Sequence, residues 1–191
     1  EFRKKRMIAE RRARLKGKEE IIFDDIYNEM LLFFSEDVCN RCKEIEIELE
    51  IKCSIPRENV KRIFLRALSL KKRVFVISDM YMSSKVIEEI LRKCGYPSGY
   101  TLYVSSEYNK TKRIGTLFDY VLKKEKINKD ELLHIGDNIR GDYIIPRNKG
   151  IMAYHIKNYK NKHIKNHLNI LESNQLLKEC LKNFQIKGFW D

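Results

Sequence analysis

Leu132-Leu133-His134-Ile135-Gly136-Asp137-Asn138-Ile139-Arg140-Gly141-Asp142 joins an apolar run to a glycine and two carboxylates. Such a run predicts a buried strand of a parallel sheet, with Gly136 letting the backbone turn sharply at its carboxyl end. In open α/β sheets ligands lie in the crevice beyond the carboxyl ends of the strands, so Asp137 is expected to project there and Asp142 to fold back towards it. Two such carboxylates make a seat for a hard cation such as Mg²⁺. Equally, they cap a turn and the helix that follows it.

Two further strand ends carry polar groups of the kind that would work with those carboxylates. Arg73-Val-Phe-Val-Ile-Ser78 is β-branched and aromatic, and Ser78 ends it with a hydroxyl that can donate to a phosphate oxygen. Thr101-Leu-Tyr-Val-Ser105 leads through Ser106 to Lys110 and Lys112, either of which can neutralise a phosphoryl group. A hydroxyl donor, an ammonium and metal-binding carboxylates form a phosphoryl-transfer set, because that chemistry consists mostly of positioning and charge stabilisation.

The elements that must position these groups follow from periodicity. After Ser78 and Asp79, Ser83 or Ser84 caps a helix whose stripe is Val86, Ile87, Ile90, Leu91 and Cys94, ending at Gly95. A helix from about Lys112 to Lys124 carries Leu117, Phe118, Val121 and Leu122. A short helix containing Pro146 and a strand over 150–154 come next. Strands alternating with helices predict an α/β fold with a doubly wound parallel sheet.

The first 70 residues read as helices. Residues 3–16 have Met7, Ile8 and Leu15 as apolar positions and Gly17 as a stop. Asp24 or Asp25 is the expected N-cap of a second helix bearing Ile26, Met30, Leu31 and Phe34. Cys42–Lys52 is a third, and Pro56 opens a fourth with Val60, Ile63, Phe64, Ala67 and Leu68. A last helix is expected over Lys162–Phe184. The resulting plan is a helical region at 1–70, an α/β core at 71–160 and a helical tail at 161–191.

The chain has 191 residues and a net charge of +12, and the charge lies at its ends. Residues 1–18 carry nine Lys/Arg against two acids and 147–191 nine against three, while 19–146 is nearly balanced. That distribution, away from the candidate site, favours solvated basic faces over a nucleic-acid footprint, with an anionic partner as the alternative. No apolar run approaches the roughly 18 residues that cross a bilayer. Five scattered cysteines suit reduced thiols, so a cytoplasmic protein is expected. Cys39-Asn-Arg-Cys42 has metal-pair spacing but no second pair to complete four ligands.

Val74-Phe-Val-Ile-Ser78-Asp79-Met80-Tyr81-Met82, Tyr103-Val-Ser-Ser-Glu107 with Lys112-Arg-Ile-Gly-Thr-Leu-Phe118, and His134-Ile-Gly-Asp137-Asn138 with Asp142 together resemble the second, third and fourth motifs of the haloacid dehalogenase (HAD) superfamily. The resemblance is closest to HAD-like domains found alone or fused to bacterial glycosyltransferases of surface-polysaccharide clusters. Phe2-Arg-Lys-Lys-Arg6, Ala9-Glu10, Ala13-Arg14 and Asp25-Ile-Tyr27 resemble the helical insert of that group. It implies a HAD-like core with a helical cap and a Mg²⁺-dependent phosphatase acting on a phosphorylated small molecule or sugar, with a glycosyltransferase as fused or associated partner. Ser78 would bind the transferred phosphoryl with Asp79 and Asn138 beside it. Lys112 would stabilise the intermediate, with Lys110 as the fallback, and Asp137 would ligate Mg²⁺ with Asp142 in support. The family's first motif, Asp-x-Asp-x-Thr, is not found, since Asp24-Asp25 has the wrong spacing. The expectation is therefore a chain shortened at its amino end and lacking its first, central strand, which alone would be inactive and poorly stable; a nucleophile-free relative is the alternative.

Overall fold

A computed structural model describes residues 1–156. The helix expected over Lys162–Phe184, together with the 161–191 tail, lies outside the described residues. In chain order the elements are α1 (Phe2–Arg14), α2 (Phe23–Met30), α3 (Glu36–Cys53), α4 (Glu58–Ser69), β1 (Val74–Ser78), α5 (Ser84–Lys93), β2 (Tyr100–Val104), α6 (Ser105–Tyr108), α7 (Thr116–Glu125), β3 (Leu133–Gly136), α8 (Ile145–Asn148) and β4 (Met152–His155). They form two compact units, Glu1–Arg62 with Arg73–Thr111, and Ile63–Lys72 with the described residues from Lys112 on.

In the first unit, the large apolar residues of α1 are not the ones it buries. Arg6, Ala9 and Ala13 are buried, whereas Met7, Ile8 and Leu15 are 62%, 48% and 77% exposed. Two alanines let neighbouring elements come close, and the Arg6 head finds a full set of partners. Its Nε and Nη2 donate in a fork to Glu46 at 2.9 and 2.7 Å, Nη1 donates to Glu10 at 3.2 Å and Nη2 also to the Tyr81 hydroxyl at 3.3 Å. The Tyr27 hydroxyl donates to the same Glu46 at 2.8 Å, and the guanidinium lies 5.5–6.0 Å from the ring centres of Phe23, Tyr27 and Tyr81. A planar cation with satisfied donors and aromatic faces around it is tolerable in a core. Around it pack Ile21, Phe23, Ile26, Tyr27, Met30, Cys39 and Met82.

α2 begins at Phe23 with Ile22 as its cap, rather than at Asp24 or Asp25. Asp25 instead reaches back from the third helical position to accept the Ile22 N–H at 3.0 Å, the return half of a capping box. α3 starts at Glu36, ahead of the expected Cys42. Cys39 is buried near the Phe34 carbonyl, and burial, with the neighbouring Cys42 and Glu36, pushes its thiol pKa up. β1 and β2 pair in parallel from Val74↔Tyr100 to Ser78↔Val104, with α5 as the intervening helix. Six of the nine cations in residues 1–18 meet carboxylates in ion pairs: Lys5 with Glu1, Arg6 with Glu46, Arg12 and Lys16 with Glu29, Arg14 with Glu10 and Glu20, and Lys18 with Asp25.

In the second unit, α7 starts at Thr116, after the expected Lys112, because Gly115 precedes it in a left-handed turn at φ 97°. Leu117, Phe118, Val121 and Leu122 of α7 are buried, as their spacing predicts. Ile63 packs against Leu70, Leu133, Ile135 and Tyr154. β3 and β4 pair in parallel from Leu133↔Met152 to Gly136↔His155. Between them runs a π-helical turn, Ile139–Ile144, followed by α8 with Pro146 in its first turn.

The mixed α/β character matches the sequence reading, but the four strands do not form one sheet. Among the described residues they make two separate parallel pairs, so β1 and β3 each have a single strand partner. A continuous parallel sheet needs a partner on both edges of every inner strand, and the described residues supply no fifth strand.

The Arg6 fork is expected to show in a conservative substitution. Arg6→Lys keeps the charge but cannot match the Glu46 carboxylate with two parallel donors, and should lower unfolding stability by about 1–2 kcal/mol. Arg6→Ala, which leaves Glu46 short of its partner, should cost about 3–5 kcal/mol. Denaturant midpoints at unchanged slope measure both.

Candidate functional site

The chemistry-bearing groups of the second unit gather at the carboxyl end of β3. The strand delivers His134 into a buried position, where its ring meets Phe118 edge-on at 4.9 Å. Gly136 ends the strand and Asp137 and Asn138 follow, both exposed. The Asn138 side-chain oxygen accepts the N–H groups of Arg140 and Gly141 at 3.1 and 2.8 Å and so caps the π-helical turn. That turn swings Asp142 back beneath the strand end.

Asp142 is 4% exposed, and both its oxygens are engaged. Oδ1 accepts from Lys112 Nζ at 2.6 Å and from His134 Nε2 at 3.0 Å, while Oδ2 accepts from the Asn138 N–H at 2.9 Å. Burial pushes the carboxyl pKa up. The hydrogen bond from His134, the charge and hydrogen bond of Lys112 and the Asn138 N–H outweigh it and hold the group well below the usual carboxylate range. Asp142 is therefore an anion at any pH near neutrality, and Lys112 is fastened to it with its side chain only 13% exposed.

Gly136 has a different role from the one its position suggested. Its backbone is not left-handed. A Cβ there would lie 2.4 Å from the Asp142 carboxyl carbon and from Oδ2, so the glycine is needed for the space the carboxylate occupies. Gly141 is not held to glycine in this way, since a Cβ there would meet only ordinary contacts, Asn138 Oδ1 at 3.5 Å and Lys112 Cβ at 3.7 Å.

Of the residues singled out from the sequence, Lys112, Asn138 and Asp142 form one knot. Asp137 stands beside it in the chain, its carbonyl accepting from His155 Nε2 at 3.0 Å. Ser78 closes β1 half-buried and Asp79 follows it exposed, both in the first unit together with Lys110. There the Met80 N–H donates to Ser105 Oγ at 2.8 Å, and Ser105 Oγ donates to Glu20 Oε2 at 3.1 Å, tying the loop after β1 to the start of α6. His134 had been given no role; the signal for it was an imidazole set inside an otherwise apolar strand.

Mg²⁺ is ordinarily held by one or two carboxylates, with waters and substrate oxygens completing its shell. Among the described residues no three His, Cys, Asp or Glu side chains cluster as a metal site. With both Asp142 oxygens taken, Asp137 is the exposed carboxylate that fits a direct ligand, and Asp142 fits a supporting one.

No protein-family model matches the chain, and no curated protein is significantly similar to it.

The knot makes a pH-dependent contribution whose sign follows from the Asp142 shift. A folded-state pKa below the unfolded value of about 3.9 stabilises the fold above that pH and loses its effect as acid protonates the group. At neutral pH Asp142→Asn is expected to be about 3 kcal/mol less stable than the parent chain. The gap should narrow as pH falls below about 4, read from denaturant titrations at stepped pH. Gly136→Ala should perturb the same knot, displacing Asp142 and freeing Lys112, visible as a shift of the Lys112 side-chain NMR signals.

Proposed function

We propose that this chain carries the phosphoryl-handling half of a HAD-type, Mg²⁺-dependent phosphomonoester hydrolase. The observation that supports the reading is the Lys112–Asp142–His134 knot at the carboxyl end of a parallel strand, where α/β proteins bind ligands. Lys112 supplies a fixed cation to the charge that develops on the phosphoryl oxygens. Asp142 holds that lysine, and His134 holds Asp142. A lysine so placed sets a positive charge beside a phosphoryl oxygen while keeping its ion pair. Mg²⁺, held by Asp137 with Asp142 in support, would neutralise the phosphoryl group further. Ser78 and Asp79 take, by the same resemblance, the role of hydrogen-bonding the phosphoryl group.

Hydrolysis by this route passes through an aspartyl-phosphate, formed when an aspartate attacks phosphorus and cleaved by water. No Asp-x-Asp-x-Thr stands in the sequence to supply that aspartate. The same observation favours a second reading, a non-catalytic HAD-like module that binds a phosphorylated sugar or docks on a glycosyltransferase.

Turnover of an aryl phosphate separates these readings. The 191-residue chain is expected to be inactive, and a version extended ahead of Glu1 by an apolar strand ending in Asp-x-Asp-x-Thr should turn over in a Mg²⁺-dependent way. In that version Lys112→Ala and Asp137→Ala should each reduce kcat/KM by about a hundredfold or more, and Ser78→Ala by about tenfold. Activity of the unextended chain that survives Asp137→Ala would refute the site assignment. An extended version that binds inorganic phosphate without turnover would favour the module.

A further inference from the structure

We infer that the outer side of α3 is a homodimer interface in which two copies of the helix pack antiparallel. Val38, Ile45 and Leu49 are 43%, 38% and 51% exposed, while Ile47 of the same helix packs against the core. With Cys42, which is half-buried at the edge of the core, they stand at i, i+4, i+7 and i+11. That is the seam of a two-stranded coiled coil, with Val38 and Ile45 at d and Cys42 and Leu49 at a. One flank of the seam is committed to the first unit: Cys39 is buried, and Glu46 accepts from Arg6 and Tyr27. The other flank carries Arg41 and Glu48, both exposed.

The occupant follows from those two charges. In an antiparallel pair Leu49 packs on Val38 of the second copy and Ile45 on Cys42 of the second copy, so every layer is apolar. The same register brings Arg41 of each copy to Glu48 of the other, twice by symmetry, and opposes the two helix dipoles. A parallel pair would point Arg41 at Glu46 of the second copy, which is already held inside its own unit. Arg41 now pairs at 3.0 Å with Glu44, but both side chains are about two-thirds exposed, so that contact is readily exchanged. The surface is self-complementary, and a second copy of this chain is the partner that matches it. This inference stands apart from the phosphatase reading.

Sedimentation velocity over a concentration series tests it. The chain is expected to dimerise reversibly, and Ile45→Glu, which sets a carboxylate into both central layers, to weaken the dimer by about a hundredfold. Position 45 is exposed in the monomer, so the variant should keep its helical circular dichroism. Arg41→Glu should weaken the dimer by about tenfold and Arg41→Glu with Glu48→Arg should restore it. Under mild oxidation Ile45→Cys should give a disulfide from position 45 of one copy to Cys42 of the other, mapped by mass spectrometry. A chain that stays monomeric throughout the series, a dimer indifferent to Ile45→Glu, or a disulfide joining position 45 only to position 45 would each overturn the antiparallel interface.

Discussion

A charge can be buried only where its hydrogen-bonding positions are met, and in each of the two units one charge that satisfies this condition ties several elements together. In the first it is the Arg6 guanidinium, forked onto Glu46, joined to Glu10 and Tyr81 and faced by three aromatic rings. In the second it is the Asp142 carboxylate, met by Lys112, His134 and the Asn138 N–H. Neither set can be loosened at one member without stranding the others. That is why Arg6 fixes α1, α2, α3 and the loop after β1 against one another, and why Asp142 fixes β3, the turn beyond it and the segment carrying Lys112.

The division of labour between the two carboxylates near β3 follows from the same condition. Asp142 is saturated, and in the proposed chemistry it acts through Lys112, whose position it fixes. Asp137 is exposed, so it is the carboxylate with access to an ion or substrate from solvent. In the proposed chemistry one acid therefore prepares the cation and the other meets the metal. The backbone enforces the split: Gly136 leaves open the space that Asp142 occupies, and Asn138 holds the turn that brings it there.

What could be read from the sequence was whatever local periodicity encodes. The alternation of strand and helix from Val74 onward, the buried stripe of α7 and the Ser83 cap of α5 all follow from residues within a turn or two of one another. The charged knots do not. Arg6 sits among arginines and lysines that look alike, and only its tertiary partners Glu46 and Tyr81, far along the chain, make its side of α1 the inner one. The pattern did hold a clue, since Arg6, Ala9 and Ala13 fall on one face, but alanines carry less weight in a periodicity than Met7, Ile8 and Leu15. Likewise Asp25 was recognisable as a cap while its position within the helix was not, because a carboxylate can cap from the N-cap or reach back from the third residue. The parallel sheet follows from the alternation of strands with helices, yet which strands pair is a long-range property, and the described strands form two pairs.

The pairing of charges also decides how the basic amino end is to be understood. A run with +7 in its first 18 residues resembles a polyanion footprint when counted along the chain. Six of its nine cations are engaged by Glu1, Glu10, Glu20, Asp25, Glu29 and Glu46, leaving Arg3, Lys4 and Arg11 outside any ion pair among the described residues. Paired in this way, mostly at the surface with Arg6 alone drawn into the core, the amino end is a framework element, and a net charge says little about partners until the internal pairs are subtracted. On α3 the balance is the reverse. Its inner residues are satisfied, while Val38, Ile45 and Leu49 are left in water at the repeat that a second helix would cover. Apolar area without a covering element, flanked by charges that match their own two-fold arrangement, is a feature of the first unit that its internal contacts do not account for.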